Sequence, residues 1–430
     1  MRYRLVGVLA LCTVAGYFSG CEASSMHSSN PASSAPGGPP APDGPSWGGV
    51  SGGSGGGRGG SGGGSGGDSG GGGSTPSPAF GTGVGASGQN SAPQFLYGTQ
   101  IPNGTPIPAK VNQQTGVLSA VTMTEPNPLP NFGANSAIDP SGNFLYQAAR
   151  PGLFAYTINR ETGALTQIAD SPFSSAQSFD TVAVSQAGKF VYAYGDGQVF
   201  AYSIQTGTGQ LTPVAGSPFP AALPTASNGF ANRIAVDQKD KFLYVSTSIG
   251  IFGYNVVETT GALTLIPGSP FGTAPQPYAV LVIPSNQFLY ESTLGTTSIY
   301  GYKVDQNTGV LTQVPGEPFN AGGQCGGVDN MTMAPQGKFL FENCGSMSVN
   351  PTTGALTLAS NSVPGDWPVL DPAGRFLWAI ISDQNCWHCN QGPVAYQVDT
   401  NTGHLTRVPN SFFVMQNDMT GAVVSLAITK

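Results

Sequence analysis

The sequence predicts an all-β fold, a seven-bladed β-propeller of four-stranded antiparallel blades, and three observations carry that prediction. An aromatic-aliphatic-aromatic tripeptide recurs seven times, at Phe95-Leu96-Tyr97, Phe144-Leu145-Tyr146, Phe190-Val191-Tyr192, Phe242-Leu243-Tyr244, Phe288-Leu289-Tyr290, Phe339-Leu340-Phe341 and Phe376-Leu377-Trp378. A second signature, Thr-Gly-x-Leu-Thr/Ser, also occurs seven times, beginning at Thr115, Thr162, Thr208, Thr260, Thr308, Thr353 and Thr402. The two alternate strictly, with consecutive Phe positions 37–52 residues apart, and no helical periodicity follows the N-terminal apolar run. A period in this range marks one supersecondary unit repeated as an array.

Residues 1–20 read as an export signal, with Arg2 and Arg4 before the apolar run Leu5 to Val14 and small residues ahead of Cys21. The run is too short to remain as a membrane-spanning helix. Cys21 directly after Ser19-Gly20 resembles a bacterial lipobox, which makes it the expected lipid-modified first residue of the mature chain. An ordinary secretory signal is the alternative. Several acyl chains on one residue anchor firmly where one is marginal, so the expected location is the cell envelope, with Glu22 favouring the outer membrane.

Residues 21–92 are dominated by Gly, Ser and Pro and cannot build a core. Such a stretch behaves as a tether with a root-mean-square span on the order of 45 Å. Gly52-Gly53-Ser54-Gly55-Gly56 matches the nucleophile-elbow pattern by low complexity alone, with neither a strand before it nor a helix after it. Without Arg2 and Arg4 the mature chain has 13 basic against 22 acidic residues, and charged residues make up only 9% of the sequence. There is no basic patch to neutralise phosphates, so no nucleic-acid partner is expected. A monomer is expected.

The folded region is 93–430. The unit around Phe242 shows its grammar in four β-rich runs, Asn232 to Asp237, Phe242 to Ser246, Gly250 to Val256 and Thr260 to Ile266. Turns such as Asp139-Pro140-Ser141-Gly142 have the Pro and Gly placement of a tight reversal, and Thr-Gly closes the last hairpin with a residue free to take positive φ. Four antiparallel strands repeated radially make a propeller blade. The chain enters at the Phe95 run, a second strand, and ends on an extra strand, Ala422 to Ile428. That last strand is expected to pair beside the N-terminal three and complete the seventh blade.

The Phe-Leu-Tyr-Val strand, the Asp-Pro-Ser-Gly turn, the Thr-Gly-x-Leu-Thr hairpin and the Gly-Ser-Pro-Phe that follows it (Gly216 to Phe219, Gly268 to Phe271) resemble the lactonase-type seven-bladed propellers. That family includes 6-phosphogluconolactonase-like and carboxymuconate-cyclising enzymes and many exported repeat proteins. The resemblance covers Phe95 to Lys430 and rests on structural motifs, which specify a scaffold rather than a chemistry.

Function is expected on the face carrying the second-to-third loops and the inter-blade crossings, read as long and irregular, for instance Thr212 to Arg233, Val314 to Asn330 and Ile380 to Pro393. Alignment on the Phe places Asp180, Asn232, Asp329 and Asp366 ten residues before it, and Asn135, Arg233 and Asn330 nine before it, at the axial ends of innermost strands. Glu291 and Glu342 end second strands on the same face. Arg233, Asp180, Asp329 and Asp366 are candidates for catalysis; Asn135, Asn232, Asn330, Glu291 and Glu342 are candidates for ligand binding. The alternative is that these side chains cap strands and solvate the channel mouth. Lactone hydrolysis needs a base or activated water near an oxyanion stabiliser. The resemblance implies His, Arg and Glu together for the cyclising relatives, but only His388 falls on the loop face and no inner strand begins with His.

Outside the cytoplasm, Cys325 with Cys344 and Cys386 with Cys389 are expected to form disulfides. A Cys₄ or Cys₃His metal site using His388 is the alternative. No zinc-protease or phosphate-loop motif occurs in the folded region, and no cofactor is expected. The leading expectation is a lipid-anchored propeller that binds a small polar ligand or a protein partner on its loop face. A lactone hydrolase acting at the channel mouth and a surface-display protein are the other readings.

Overall fold

The computed structural model describes residues 93–430 apart from 102–103, 105, 123–132, 223–232, 273, 323–327, 329, 362–364, 383–390 and 416–421. The signal and tether lie outside the described residues. Among the described residues the strands form seven antiparallel sheets, with no helix.

Six blades are contiguous in sequence. Blade 1 runs from the innermost strand Gly133–Ile138 outward through Phe144–Ala149, Leu153–Ile158 and Leu165–Gln167. Blades 2 to 6 repeat this order from innermost strands Thr181–Val184, Ile234–Val236, Pro277–Val282, Met331–Met333 and Asp366–Leu370. Blade 7 joins the chain's ends: Gln94–Ile101, Pro106–Val111 and Leu118–Ala120 take Ala422–Ile428 as their innermost strand. Leu96 lies opposite Ile428 and Ile101 opposite Ala422, in antiparallel register. Each innermost strand touches the next, and the last touches the first, so the ring closes.

The second strands explain the tripeptide. Each is sandwiched between two neighbouring blades and buried along its whole length in blades 1 to 5. A strand buried on both faces reads as a continuous apolar run rather than an alternating one. Successive side chains point oppositely, so Phe242 and Tyr244 join the core between blades 3 and 4 while Leu243 joins the core between blades 2 and 3. Seven such cores sit at the seven joints. The outermost strands are only three residues long in most blades and expose all but their leucine.

The two repeated signatures meet across each joint. The tyrosine hydroxyls of Tyr97, Tyr146, Tyr192, Tyr244 and Tyr290 donate to the carbonyls of Gly163, Gly209, Gly261, Gly309 and Gly354, each in the next blade's Thr-Gly turn, at 2.8–3.2 Å. Trp378 Nε1 donates to Gly116 O at 2.9 Å and completes the circuit. Blade 5 has Phe341 at this position, which carries no hydroxyl; Ser346 Oγ from the neighbouring strand donates to Gly403 O instead, at 2.8 Å. The glycine is required on two counts. At Gly261 φ is +74° and an added Cβ would lie 2.4 Å from Phe190 Cδ1, so the ring of one blade packs flat under the turn of the next.

Ser-Pro-Phe, preceded by Gly216, Gly268 or Asp170, also acquires a role. Ser171, Ser217 and Ser269 Oγ accept the N–H of Ala155, Ala201 and Gly253 at 2.9 Å. The following Phe pairs further along the same third strand, as Phe219 does with Val199 and Phe271 with Ile251. The short fourth strand leaves these backbone groups uncovered, and the motif satisfies them.

Candidate functional site

Two kinds of connection reach the face opposite the Asp-Pro-Ser-Gly and Thr-Gly turns, and only one is long. The second-to-third connections of blades 1 to 5 are tight, from Glu342–Gly345 to Thr293–Ser298, which corrects the expectation of long irregular loops there. Strand pairing that runs to the end of both strands leaves two to four residues for the reversal. Blade 6, between Ser382 and Gln391, is the exception. The other long connections are inter-blade crossings.

The structure buries most of the residues singled out on this face. Arg233 is 0% exposed. Its Nη1 donates to Pro277 O at 3.0 Å, and its guanidinium carbon lies 5.2 Å from the Tyr278 ring centroid. Burial pulls its pKa down, opposed by Tyr278, Asp180, Tyr194 and Glu291. Arg233 therefore ties blade 3 to blade 4. Asn135 is buried and its Oδ1 accepts Val182 N–H at 2.8 Å and Thr181 Oγ1 at 3.2 Å, tying blade 1 to blade 2. Asn330 is buried as well. Asn232 and Asp329 lie outside the described residues.

Glu291 and Glu342 occupy the same position in blades 4 and 5 and are both enclosed. Their side chains follow the odd-even rule toward the preceding blade rather than into the channel. Ser246 Oγ of blade 3 donates to Glu291 Oε1 at 2.6 Å, and Tyr302 donates to Oε2 at 3.5 Å. Burial raises Glu291 to about 7, against those hydrogen bonds. Glu342 Oε2 accepts Cys344 N–H at 2.5 Å, and Oε1 has no hydrogen-bond partner among the described residues. Burial raises Glu342 to about 7 too. Gln147, the same position in blade 1, bonds Gly104 O and Thr99 Oγ1 of blade 7.

Of the remaining candidates Asp180 is buried and Asp366 is exposed. Asp180 forms an ion pair with Arg150 at 2.5 Å, and the Arg150 side chain is 42% exposed. Arg150 sits in a second-to-third turn and was not singled out, because alignment on innermost strands cannot find it. Asp366 is exposed to solvent, yet enclosure by protein raises its pKa, opposed by a hydrogen bond with Asn343 of blade 5. Next to Asp366, Trp367 holds a left-handed backbone, φ +56°, an uncommon conformation for a bulky residue and one that clusters at functional sites.

Cys344 is buried where it follows its second strand. Cys325, Cys386, Cys389 and His388 lie outside the described residues, as does Cys21. Among the described residues no group of three or more His, Cys, Asp or Glu side chains is placed to hold a metal.

Comparison with known proteins agrees with this architecture. Residues 183–325, blades 2 to 4 and part of the next crossing, match the family model "Lactonase, 7-bladed beta-propeller". No curated protein matches the chain significantly. A proposed 6-phosphogluconolactonase from Bacteroides uniformis superposes with a TM-score of 0.62 at 19% identity, covering 77% of this chain and 99% of that one. A second, from Bacteroides fragilis, gives 0.60 at 17%, covering 79% and 99%. The periplasmic gluconolactonase PpgL of Pseudomonas aeruginosa gives 0.58 at 15%, covering 79% and 99%. At these identities the structures share a fold. The chain is thus a seven-bladed β-propeller similar to the lactonase family over residues 183–325 and to lactonase-named structures along its propeller.

Proposed function

We propose that the chain is an envelope propeller, lipid-anchored through Cys21, that binds a small polar ligand at the axial mouth of its crossing face. The observation that carries this reading is Asp366: a carboxyl open to water, desolvated by its surroundings, hydrogen-bonded to Asn343 and followed by Trp367 in strained backbone. The ion pair of Arg150 with Asp180 on the same face adds a solvent-reachable guanidinium. Carboxylate, amide and guanidinium suit a hydroxylated ligand.

Lactone hydrolysis is the second reading, and the family match over residues 183–325 favours it. A carboxyl whose pKa is raised by desolvation is a stronger base than a free one. Asp366 would take a proton from the attacking water, the ring acyl–oxygen bond would break, and the proton would return to the departing alkoxide. The disulfides Cys325–Cys344 and Cys386–Cys389 are part of the proposal, the burial of Cys344 bearing on the first alone; thiol counting with and without reductant tests both.

The test uses purified residues 93–430 with a panel of aldonolactones and aldonates, read by calorimetry for binding and by pH-stat for turnover. Binding that Asp366→Asn abolishes, without turnover, supports the first reading. Turnover lost in Asp366→Asn with binding retained supports the second. Neither binding nor turnover across the panel would defeat both.

A further inference from the structure

The molecule contains its own ligand analogue on the opposite face. In two blades the residue just before the Phe reaches the Thr-Gly turn of the next blade, whereas Arg375 at that position of blade 6 pairs with Asp371 of its own turn at 3.4 Å. In blade 3 this is Lys241, whose Nζ donates to Gln306 O at 2.9 Å and Asn307 O at 3.4 Å and lies 5.1 Å from the Phe242 ring centroid. In blade 5 it is Lys338, whose Nζ donates to Asn401 O at 2.9 Å and lies 5.0 Å from the Phe339 ring centroid. Two joints thus hold a primary ammonium in the same way, on turn carbonyls over the face of an aromatic ring.

Blade 1 has Asn143 at that position, exposed and too short to reach across. The joint between blades 1 and 2 is left with an open cleft of about 770 Å³. Its walls include Phe144, Thr206 and Gly207. By position in the Thr-Gly turn, Thr206 and Gly207 correspond to Gln306 and Asn307, the two acceptors of Lys241. Asp139 and Lys189 also line the cleft; the Asp139 carboxylate accepts backbone N–H groups of its own turn. Every part of the ammonium seat is present except the ammonium.

We propose that this cleft binds a single alkylammonium group, presented as a lysine side chain by a partner polypeptide. The charge is held by ion–dipole bonds to turn carbonyls and by the ring quadrupole, as those of Lys241 and Lys338 are in their joints, and the four-methylene stem covers apolar surface of the cleft. A guanidinium is planar and needs a fork of acceptors, so a lysine is preferred to an arginine.

The experiment titrates residues 93–430 with N-acetyl-lysine-methylamide, with the norleucine and arginine amides as comparisons, following the amide resonances of Phe144, Thr206 and Gly207. A saturable shift at millimolar lysine amide is expected, at least tenfold weaker for the norleucine compound. Asn143→Lys supplies the ammonium in cis and should abolish the shift without lowering the melting temperature; Asn143→Ala leaves the cleft open and should retain it. No saturable shift, an equal response to norleucine, or an Asn143→Lys protein that still binds would each overturn the proposal. Should Asn143→Lys fail to fold, the norleucine comparison on the unaltered protein still decides.

Discussion

The joint between blades 5 and 6 offers the sharpest test of how the ring is held together. Ser346→Ala removes the hydroxyl that donates to Gly403 O and changes almost no volume, so the loss is polar and local. Gly403 and Ser346 are both buried, and stranding a buried carbonyl costs about 1–3 kcal/mol. An unfolding entropy of about 2.1 cal/mol/K per residue over roughly 340 residues gives about 0.7 kcal/mol/K. The melting temperature should therefore fall by about 1.5–4 °C. Phe341→Tyr in the Ser346→Ala background should restore most of it, because a tyrosine at that position reaches the equivalent carbonyl in five other blades. Phe341→Tyr alone should give no gain, since the acceptor is already engaged and the added oxygen crowds the joint. Differential scanning calorimetry on the three variants decides. An unchanged Ser346→Ala, or a double variant no better than the single, would refute the latch as an energetic element.

The remaining predictions concern closure, pH and the glycines. Deleting residues 422–430 removes the innermost strand of blade 7 and its ladder to Leu96–Ile101; loss of cooperative melting and aggregation through the open edge is expected, and a truncated chain that melts like the full one would disprove closure. Glu291 and Glu342 titrate near 4.5 when unfolded and about 7 when folded, so the folded state holds protons that the unfolded state has released between those values. The stability contributed by these two groups is then fully present below about pH 4.5 and is lost as pH rises through 7. Glu342→Gln keeps an acceptor for Cys344 N–H and should be more stable than the parent at pH 8 while matching it near pH 4.5; denaturant melts at the two values test this, and an equal difference at both counts against it. Gly261→Ala drives a Cβ into Phe190, whereas Gly207→Ala, also at positive φ, meets nothing within 4 Å. The first should cost at least about 2 kcal/mol more than the second, and equal losses in urea melts would show that the ring contact is immaterial.

The sequence by itself determined the blade. Phe-Leu-Tyr, Asp-Pro-Ser-Gly and Thr-Gly act within about fifty residues, and the strand periods, turn chemistry and capping they encode are local. Ring closure was also legible, because the Phe95 run lacks a first strand and Ala422–Ile428 lacks a successor. Only the tertiary structure decided what meets across a joint. Tyr146 finds Gly209 63 residues away, and Trp378 finds Gly116 262 residues away. Alignment on the Phe put Asp180, Arg233 and Asp366 at or just before the start of innermost strands, whereas Glu291 lies two residues short of its strand's end, and alignment could not tell an exposed side chain from one that turns into a joint. That is why Arg233, Glu291 and Glu342 stood beside Asp366 as candidates. Position along a strand follows from the repeat, whereas exposure depends on the size and polarity of whatever the neighbouring blade presents.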